Sequence, residues 1–176
     1  MRWPVSESFE KKLPRPGMPG SFWEHRGDRY HCGVDIYAPA GSPVCAAEEG
    51  KVIAVGIFTS PEKVVYWNTT YYVLIRDSHT GLIGRWAELG GVEVKPGQIV
   101  KERQVIGRVG QVLNPDKISE ASPEYIRCLK QKGRMSMLHF ELYAAAAVPE
   151  EIGAYLSNAP PGVYPAHLLD PSGYFG

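Results

Sequence analysis

Three residues of this chain offer side-chain atoms that a zinc ion binds. His31 and Asp35 lie four residues apart, with Gly33 between them, and His139 lies far downstream. Imidazole nitrogen and carboxylate oxygen are both common zinc ligands, and three protein ligands with a fourth position open for water are typical of a catalytic zinc site. Gly33 lets the backbone approach closely whatever these side chains hold. The sequence therefore predicts one Zn²⁺ ion bound by His31, Asp35 and His139.

The segment around His139 has the alternation of a β-strand. Side chains alternate between the two faces of a strand. One face here is mixed and carries Met137, His139 and Glu141, and the other is apolar and carries Leu138, Phe140 and Leu142. The apolar residues form the face that packs on the core. His139 is therefore expected to point toward a groove, with Met137 beside it.

The composition limits the classes of function. The chain has 176 residues, of which 44% are hydrophobic, and this suits one domain with a substantial core. Nineteen basic residues balance nineteen acidic ones, which argues against nucleic-acid binding. No apolar stretch is long enough to span a membrane, and the first residues lack the hydrophobic region of a signal peptide. A complete chain would be cytoplasmic, whereas a chain trimmed of an export signal would belong to the cell envelope or the extracellular space.

Turn residues break the chain into short elements. Nineteen glycines and fifteen prolines favour short strands over long helices. We predict a mainly β fold, a small antiparallel β-sandwich or barrel-sandwich hybrid with a groove. We expect residues 1–29 to form an irregular lead-in, with a short edge strand at residues 3–5, and residues 30–176 to form the domain.

One or two short helices are expected within this domain. Ser122 as the N-cap, Pro123 at the first helical position and Gly133 at the end predict one helix in a segment, 111–134, that interrupts the strand pattern. Residues 149–156 are a second short candidate.

The other histidines and the cysteines carry weaker signals. We expect the aromatic and charged segment 22–26 to line the entrance of a site, with His25 as a surface histidine. His79 is expected in an exposed turn and His167 in a structural role. The three cysteines have no disulfide spacing and are interpreted as free thiols, namely Cys32, Cys45 and Cys128.

An ordered series of motifs resembles the lysostaphin/LytM-type zinc metallopeptidases, the Gly-Gly endopeptidases that cut peptide bonds in bacterial peptidoglycan. His-x-Gly-x-Asp is matched by residues 31–35, and Ala-Pro-x-Gly-x-Pro-Val-x-Ala is matched by residues 38–46. Gly-x-Val, Gly-Gln-x-Val and Gly-x-x-Gly follow at residues 50–52, 97–100 and 107–110. The resemblance spans residues 30–143 and implies a small antiparallel β-fold with zinc on the floor of a long groove. The resemblance also implies that residues 111–134 are an insertion in a LytM-like domain.

Two residues depart from the family pattern at positions that carry catalysis. Glu88 replaces the histidine of a Tyr-x-His-Leu motif, and Met137 replaces the first histidine of His-x-His-Phe-Glu. The resemblance implies that these two histidines activate the metal-bound water and stabilise the oxyanion. A thioether neither accepts a proton at neutral pH nor donates a hydrogen bond, whereas a glutamate can act as a general base.

Two functions remain open from the sequence. The lost histidines favour a zinc-binding pseudo-peptidase with lost or strongly reduced hydrolysis, whose groove binds a peptide, a peptidoglycan fragment or a protein partner. The alternative is an active zinc peptidase with Glu88 as general base. A biotinyl or lipoyl carrier domain is disfavoured, because the chain lacks the Met-Lys-Met or Asp-Lys-Ala motif of those domains.

Overall fold

Short strands make up most of the described structure. The computed structural model describes residues 2–153 and 157–175. Within these ranges the chain forms eleven strands, which are β1 (Tyr30–His31), β2 (Val34–Tyr37), β3 (Pro43–Cys45), β4 (Gly50–Ile57), β5 (Tyr71–Asp77), β6 (Ile83–Val92), β7 (Ile99–Val100), β8 (Val105–Gln111), β9 (Ser136–Tyr143), β10 (Asn158–Ala159) and β11 (Leu168–Leu169). Two α-helices accompany them, α1 (Glu124–Gln131) and α2 (Pro149–Gly153).

Nine of these strands form one antiparallel sheet that curls on itself. Its order is β11-β9-β8-β6-β5-β4-β7, with β2 added on β9 and β3 added on β8. Strand β9 also pairs with β6, so β6, β8 and β9 pair with one another. A separate two-stranded ladder joins β1 and β10. The mainly β prediction is confirmed.

The alternation predicted for β9 is confirmed. Leu138, Phe140 and Leu142 pack in the main apolar core, where Val34 and Trp86 also lie. Met137 and His139, on the other face, line a cavity. One face of β9 therefore packs in the core, and the opposite face lines the groove.

The helix predicted after residue 122 forms, but it begins one position later than expected. Pro123 has extended dihedral angles and occupies the N-cap position, and the Ser122 hydroxyl accepts a hydrogen bond from the Ser119 N–H instead of capping the helix. Gly133 has a φ of 65°, as the predicted stop requires. Helix α2 covers the first part of the predicted 149–156 helix, and residues 154–156 lie outside the described residues.

The edge strand predicted at residues 3–5 does not form. Val5 is fully buried in the main core, and the Pro4 carbonyl accepts a hydrogen bond from the Cys45 N–H. The chain bends at Pro4, which has no N–H to donate to a strand ladder, so the segment is an irregular loop held by these contacts.

The 111–134 segment packs as a wall beside the sheet. Leu113, Ile118 and Ile126 form a small apolar cluster, against which Trp67 also packs. The Lys130 ammonium donates to the carbonyls of Pro115, at 2.7 Å, and Ile118, at 3.3 Å. Among the described residues, no helix is both long and apolar enough to cross a bilayer.

Candidate metal centre and groove

The three predicted ligands meet at one point. His139 Nδ1 lies 2.9 Å from Asp35 Oδ1 and 3.0 Å from His31 Nε2, and His31 Nε2 lies 3.2 Å from Asp35 Oδ1. In a tetrahedral zinc site with bonds of 2.0–2.1 Å, neighbouring ligand atoms are about 3.3 Å apart. The donor set and its spacing therefore fit one zinc ion.

Sheet register brings these side chains together. Asp35 on β2 lies directly opposite His139 on the antiparallel strand β9, and His31 ends the preceding strand. A Cβ atom on Gly33 would lie 2.3 Å from the Phe140 carbonyl oxygen and 2.8 Å from the His139 ring. Only glycine allows this approach, so Gly33 has the role that the sequence predicted for it.

Hydrogen bonds orient both imidazole rings toward the same point. His31 Nδ1 donates to the Ser21 carbonyl oxygen at 2.8 Å, and His139 Nε2 donates to Glu141 Oε1 at 2.8 Å. In its neutral form each ring then has a lone pair on its other nitrogen, the one that faces the ligand cluster. Partners of this kind fix the tautomer of a metal-binding histidine.

The carboxylate that holds His139 is itself anchored in the protein interior. Arg85 Nη2 donates to Glu141 Oε1 at 2.6 Å, and the Tyr143 hydroxyl donates to Glu141 Oε2. Burial alone would raise the pKa of Glu141, but the charge of Arg85 and the hydrogen bond from His139 outweigh it and lower the pKa to about 2. Glu141 is therefore anionic at neutral pH and fully paired.

Arg26 holds the predicted carboxylate ligand from behind. Its Nη2 donates to Asp35 Oδ2 at 3.0 Å, which leaves Oδ1 toward the histidines. Glu24 accepts from Arg26 Nε at 3.0 Å and from the Gly20 N–H at 2.8 Å. Burial opposes ionisation of Asp35, but His31, His139 and Arg26 together keep its pKa well below the usual range. The lead-in therefore contributes directly to the centre.

Arg26→Met is expected to weaken zinc binding about 10- to 100-fold, the usual cost of losing a partner that orients a ligand. Arg26→Lys, which keeps the charge, should lose less. Zinc affinity would be measured by competition with a chelating dye. Arg2→Met removes an exposed arginine far from the centre and serves as the control. Equal affinities of Arg26→Met and the parent would contradict the prediction.

Glu88 lies on a strained bulge that directs it into the groove. Along β6, Trp86 pairs with Val73 and Leu89 pairs with Tyr71, so Ala87 and Glu88 oppose a single residue of β5. Glu88 has a φ of 63°, a conformation that is rare outside glycine and is frequent at functional sites. Its Oε2 atom is buried and has no hydrogen-bond partner among the described residues. Burial, and then the nearby charge of Asp35, raises its pKa to about 8.

Met137 lies in the same cavity as Glu88, Asp35 and His139. The residue is 5% exposed and pairs with Tyr37 across the sheet. The predicted placement of Met137 on the groove face is confirmed. That corner of the site is therefore lined by a group that cannot donate a hydrogen bond.

The groove is a cavity of about 490 Å³ above the predicted metal site. Its walls come from the lead-in, from the loop after β4 and from the 111–134 segment. The residues that line it include Arg26, Arg29, Tyr37, Tyr125 and Ile126. Segment 22–26 contributes Glu24, the exposed His25 and Arg26 to the cavity lining, as expected for a segment at its entrance.

The remaining histidines and the buried thiol lie outside the ligand set. His79 is exposed in the turn after β5, as predicted, and His167 is exposed with a φ of 64°. Cys32 is buried in a second apolar cluster, and burial raises its pKa to about 12. Its protonated thiol is a poor zinc ligand.

Several residues that hold the predicted ligands could not be identified as their partners from the sequence. Ser21, Glu24 and Arg26 lie in the irregular lead-in, and no spacing relates them to His31. The strand pattern did place Glu141 beside His139, but the pairing of Arg85 depends on the register of β6 with β9.

Comparison with known proteins supports the same architecture. The model of a family described as peptidase family M23 matches residues 29–148. No curated protein is detectably similar to the chain.

Three solved structures illustrate this similarity. The catalytic domain of the antimicrobial peptidase lysostaphin from Staphylococcus simulans has 18% identity and a TM-score of 0.54, and the match covers 89% of each chain. LytU has 20% identity and a TM-score of 0.52, over 93% of this chain and 83% of that one. At these identities the two structures show a shared fold. A zinc-containing peptidase from Vibrio cholerae has 24% identity and a TM-score of 0.44, over 80% of this chain and 33% of that longer chain.

Proposed function

The chain belongs to peptidase family M23, and from this premise we propose that it is a zinc-dependent peptidase with Glu88 as its general base. Zinc is bound in this proposal by His31, Asp35 and His139. The observation that carries the proposal is the Glu88 Oε2 atom, which has no partner among the described residues and lies in the same cavity as Asp35 and His139, two of the three converging residues. A buried carboxylate without a partner is costly, so its retention in a groove points to a partner supplied by substrate or water.

Glu88 can perform the proton transfers that peptide hydrolysis needs. When bound, zinc would lower the pKa of a water molecule and polarise the scissile carbonyl. Glu88 would accept a proton as the water attacks and return it to the leaving amine, so that the products are a carboxylic acid and a free amine. A glutamate whose pKa lies near neutrality is well suited to both steps.

Tyr37 can replace the hydrogen-bond donor that Met137 lacks. It lies opposite Met137 in the register of β2 and β9 and shares a strand face with Asp35. Its hydroxyl has no hydrogen-bond partner in residues 2–153 and 157–175, and the Arg134 guanidinium lies over its ring. Burial, and then the charge of Asp35, raises its pKa, so the phenol stays protonated. A neutral phenol in this wall can donate to a developing oxyanion.

Tyr37→Phe is expected to lower kcat about 100- to 1,000-fold, as loss of one oxyanion donor does. Zinc affinity and the melting temperature should stay at parent values, because the hydroxyl neither binds the predicted ligands nor satisfies a buried partner. Steady-state peptide hydrolysis measures the effect. Tyr164→Phe, at an exposed tyrosine outside the cavity, is the matched control. An unchanged kcat in Tyr37→Phe would show that the Tyr37 hydroxyl does not donate to the oxyanion.

The second candidate function is peptide binding without turnover. The specific observation in its favour is Met137, whose thioether occupies the corner where the family resemblance implies a histidine. In this case zinc and the groove would bind a peptide, a peptidoglycan fragment or a segment of a protein partner, with a regulatory role.

Incubation of the zinc-loaded protein with peptidoglycan and with short peptides separates the two functions. Release of new amino termini that stops on chelation and returns with zinc supports hydrolysis. Saturable binding of the same peptides with no new amino termini over many hours supports the binding function.

A further inference from the structure

A hydrogen bond joins two walls of the groove. Arg29 Nη2 donates to the Tyr125 hydroxyl at 2.9 Å, although the two residues are 96 positions apart in sequence. The Arg29 guanidinium carbon also lies 5.9 Å from the centroid of the Tyr125 ring, within the range of a cation–π contact. One residue comes from the segment just before His31 and the other from helix α1.

This bridge lies at the mouth of the cavity. Arg29 and Tyr125 both line it, together with the floor residues Asp35 and His139. Tyr125 is 43% exposed, whereas Asp35 and His139 are 5% and 2% exposed. The exposure difference places the bridge between solvent and the predicted metal site.

Both ends of the bridge are attached to packed structure. On the α1 side, Ile126 is buried against Leu113 and Ile118, and Lys130 binds backbone carbonyls of the same segment. On the other side, Arg29 directly precedes β1, whose last residue is His31. A contact between two packed walls restricts the opening more firmly than a contact made by a free loop tip would.

From these contacts we infer that Arg29 and Tyr125 select for short peptides, or for the free end of a longer one, and exclude a polymer strand that runs through the groove. The inference rests on the proposed function, since it names the substrate class of the same site. A cavity of about 490 Å³ is in the range that encloses a drug-sized ligand, which corresponds to a few amino-acid residues. A strand tethered at both ends would have to pass under the bridge, whereas a peptide with a free end can enter beside it.

Two matched probes test this inference. One is a fluorescent degenerate pentapeptide pool with free ends, and the other is the same pool with a polyethylene glycol chain on each end. The zinc-loaded protein should bind and cleave the free pool at least about ten-fold better than the tethered pool. Tyr125→Ala should reduce this preference to less than about three-fold by improving use of the tethered pool. Arg29→Ala removes the other partner of the bridge and should likewise reduce the preference for the free pool.

Tyr125→Phe and Tyr164→Ala complete the set. The first keeps the ring and removes the hydrogen bond, so its preference should lie between those of the parent and Tyr125→Ala. The second removes an exposed tyrosine outside the cavity and should keep the parent's preference.

The two probes test hydrolysis and size selection separately. Selective binding of the free pool without cleavage would reject hydrolysis and retain the size selection. Cleavage of both pools at the same kcat/KM would retain hydrolysis and overturn the size selection. The inference is also overturned if the parent binds neither pool, or if the preference survives in both Tyr125→Ala and Arg29→Ala.

Discussion

Glu88→Gln is expected to lower zinc-dependent peptide hydrolysis about a hundred- to ten-thousand-fold, the range that general-base catalysis contributes. Glutamine has nearly the same shape but cannot accept a proton at neutral pH. The change also puts a neutral amide in place of a carboxylate whose Oε2 atom is buried and has no partner in the described part of the chain, so the free energy of unfolding should not fall. Initial rates at matched zinc occupancy give the effect, with metal content determined on the same samples.

Glu49→Gln is the matched control, because Glu49 is exposed and does not line the cavity. A second variant tests the reason for the effect. Glu88→His combined with Met137→His restores the two histidines implied by the family resemblance, and it should exceed the parent's rate if the groove accepts the substrate. A parent activity that Glu88→Gln leaves intact would exclude the glutamate as base and leave peptide binding as the better account of the groove.

Local spacing was enough to select three predicted zinc ligands whose side chains converge in the structure. His31 and Asp35 belong to one short motif, and period two placed His139 on the groove face of its strand, with Met137 beside it. These inferences succeed because a strand has one dominant geometric constraint, the alternation of side chains between two faces. The predicted start of helix α1 was wrong by one residue, because Pro123 can serve as either the first helical residue or the cap.

Residues that act across the sheet could not be found in the same way. Arg85 reaches Glu141 because β6 pairs with β9 and places the two residues directly opposite each other, a long-range pairing that the local spacing of either strand does not specify. Arg26 comes from an irregular segment whose path is fixed by its contacts with Asp35 and Glu24. The bridge from Arg29 to Tyr125 depends on how the 111–134 segment packs, which its helix signature does not specify.

His139→Ala is expected to abolish the stabilisation of the protein by zinc. A ligand at a hundred times its Kd adds about 2.7 kcal/mol to the free energy of unfolding, which corresponds to a rise in melting temperature of about 5–11 °C for a domain of this size. His139 supplies one of the three ligand atoms that lie within 4.8 Å of one another. Two protein ligands should bind zinc too weakly to give a measurable shift at the same concentration.

The measurement compares each variant with its own zinc-free form, because His139→Ala also removes one hydrogen-bond partner from Asp35 and one from Glu141. Loss of such partners costs about 1–3 kcal/mol for each buried group, so the zinc-free variant should already melt below the zinc-free parent. His79→Ala, at an exposed turn, should keep both the parent's melting temperature and its response to zinc. An equal rise for His139→Ala and the parent would show that zinc binds elsewhere on the chain. No rise in the parent at millimolar zinc would mean that the converging side chains do not form a zinc site, and Asp35 would then be held by Arg26 and the two histidines as a buried polar network.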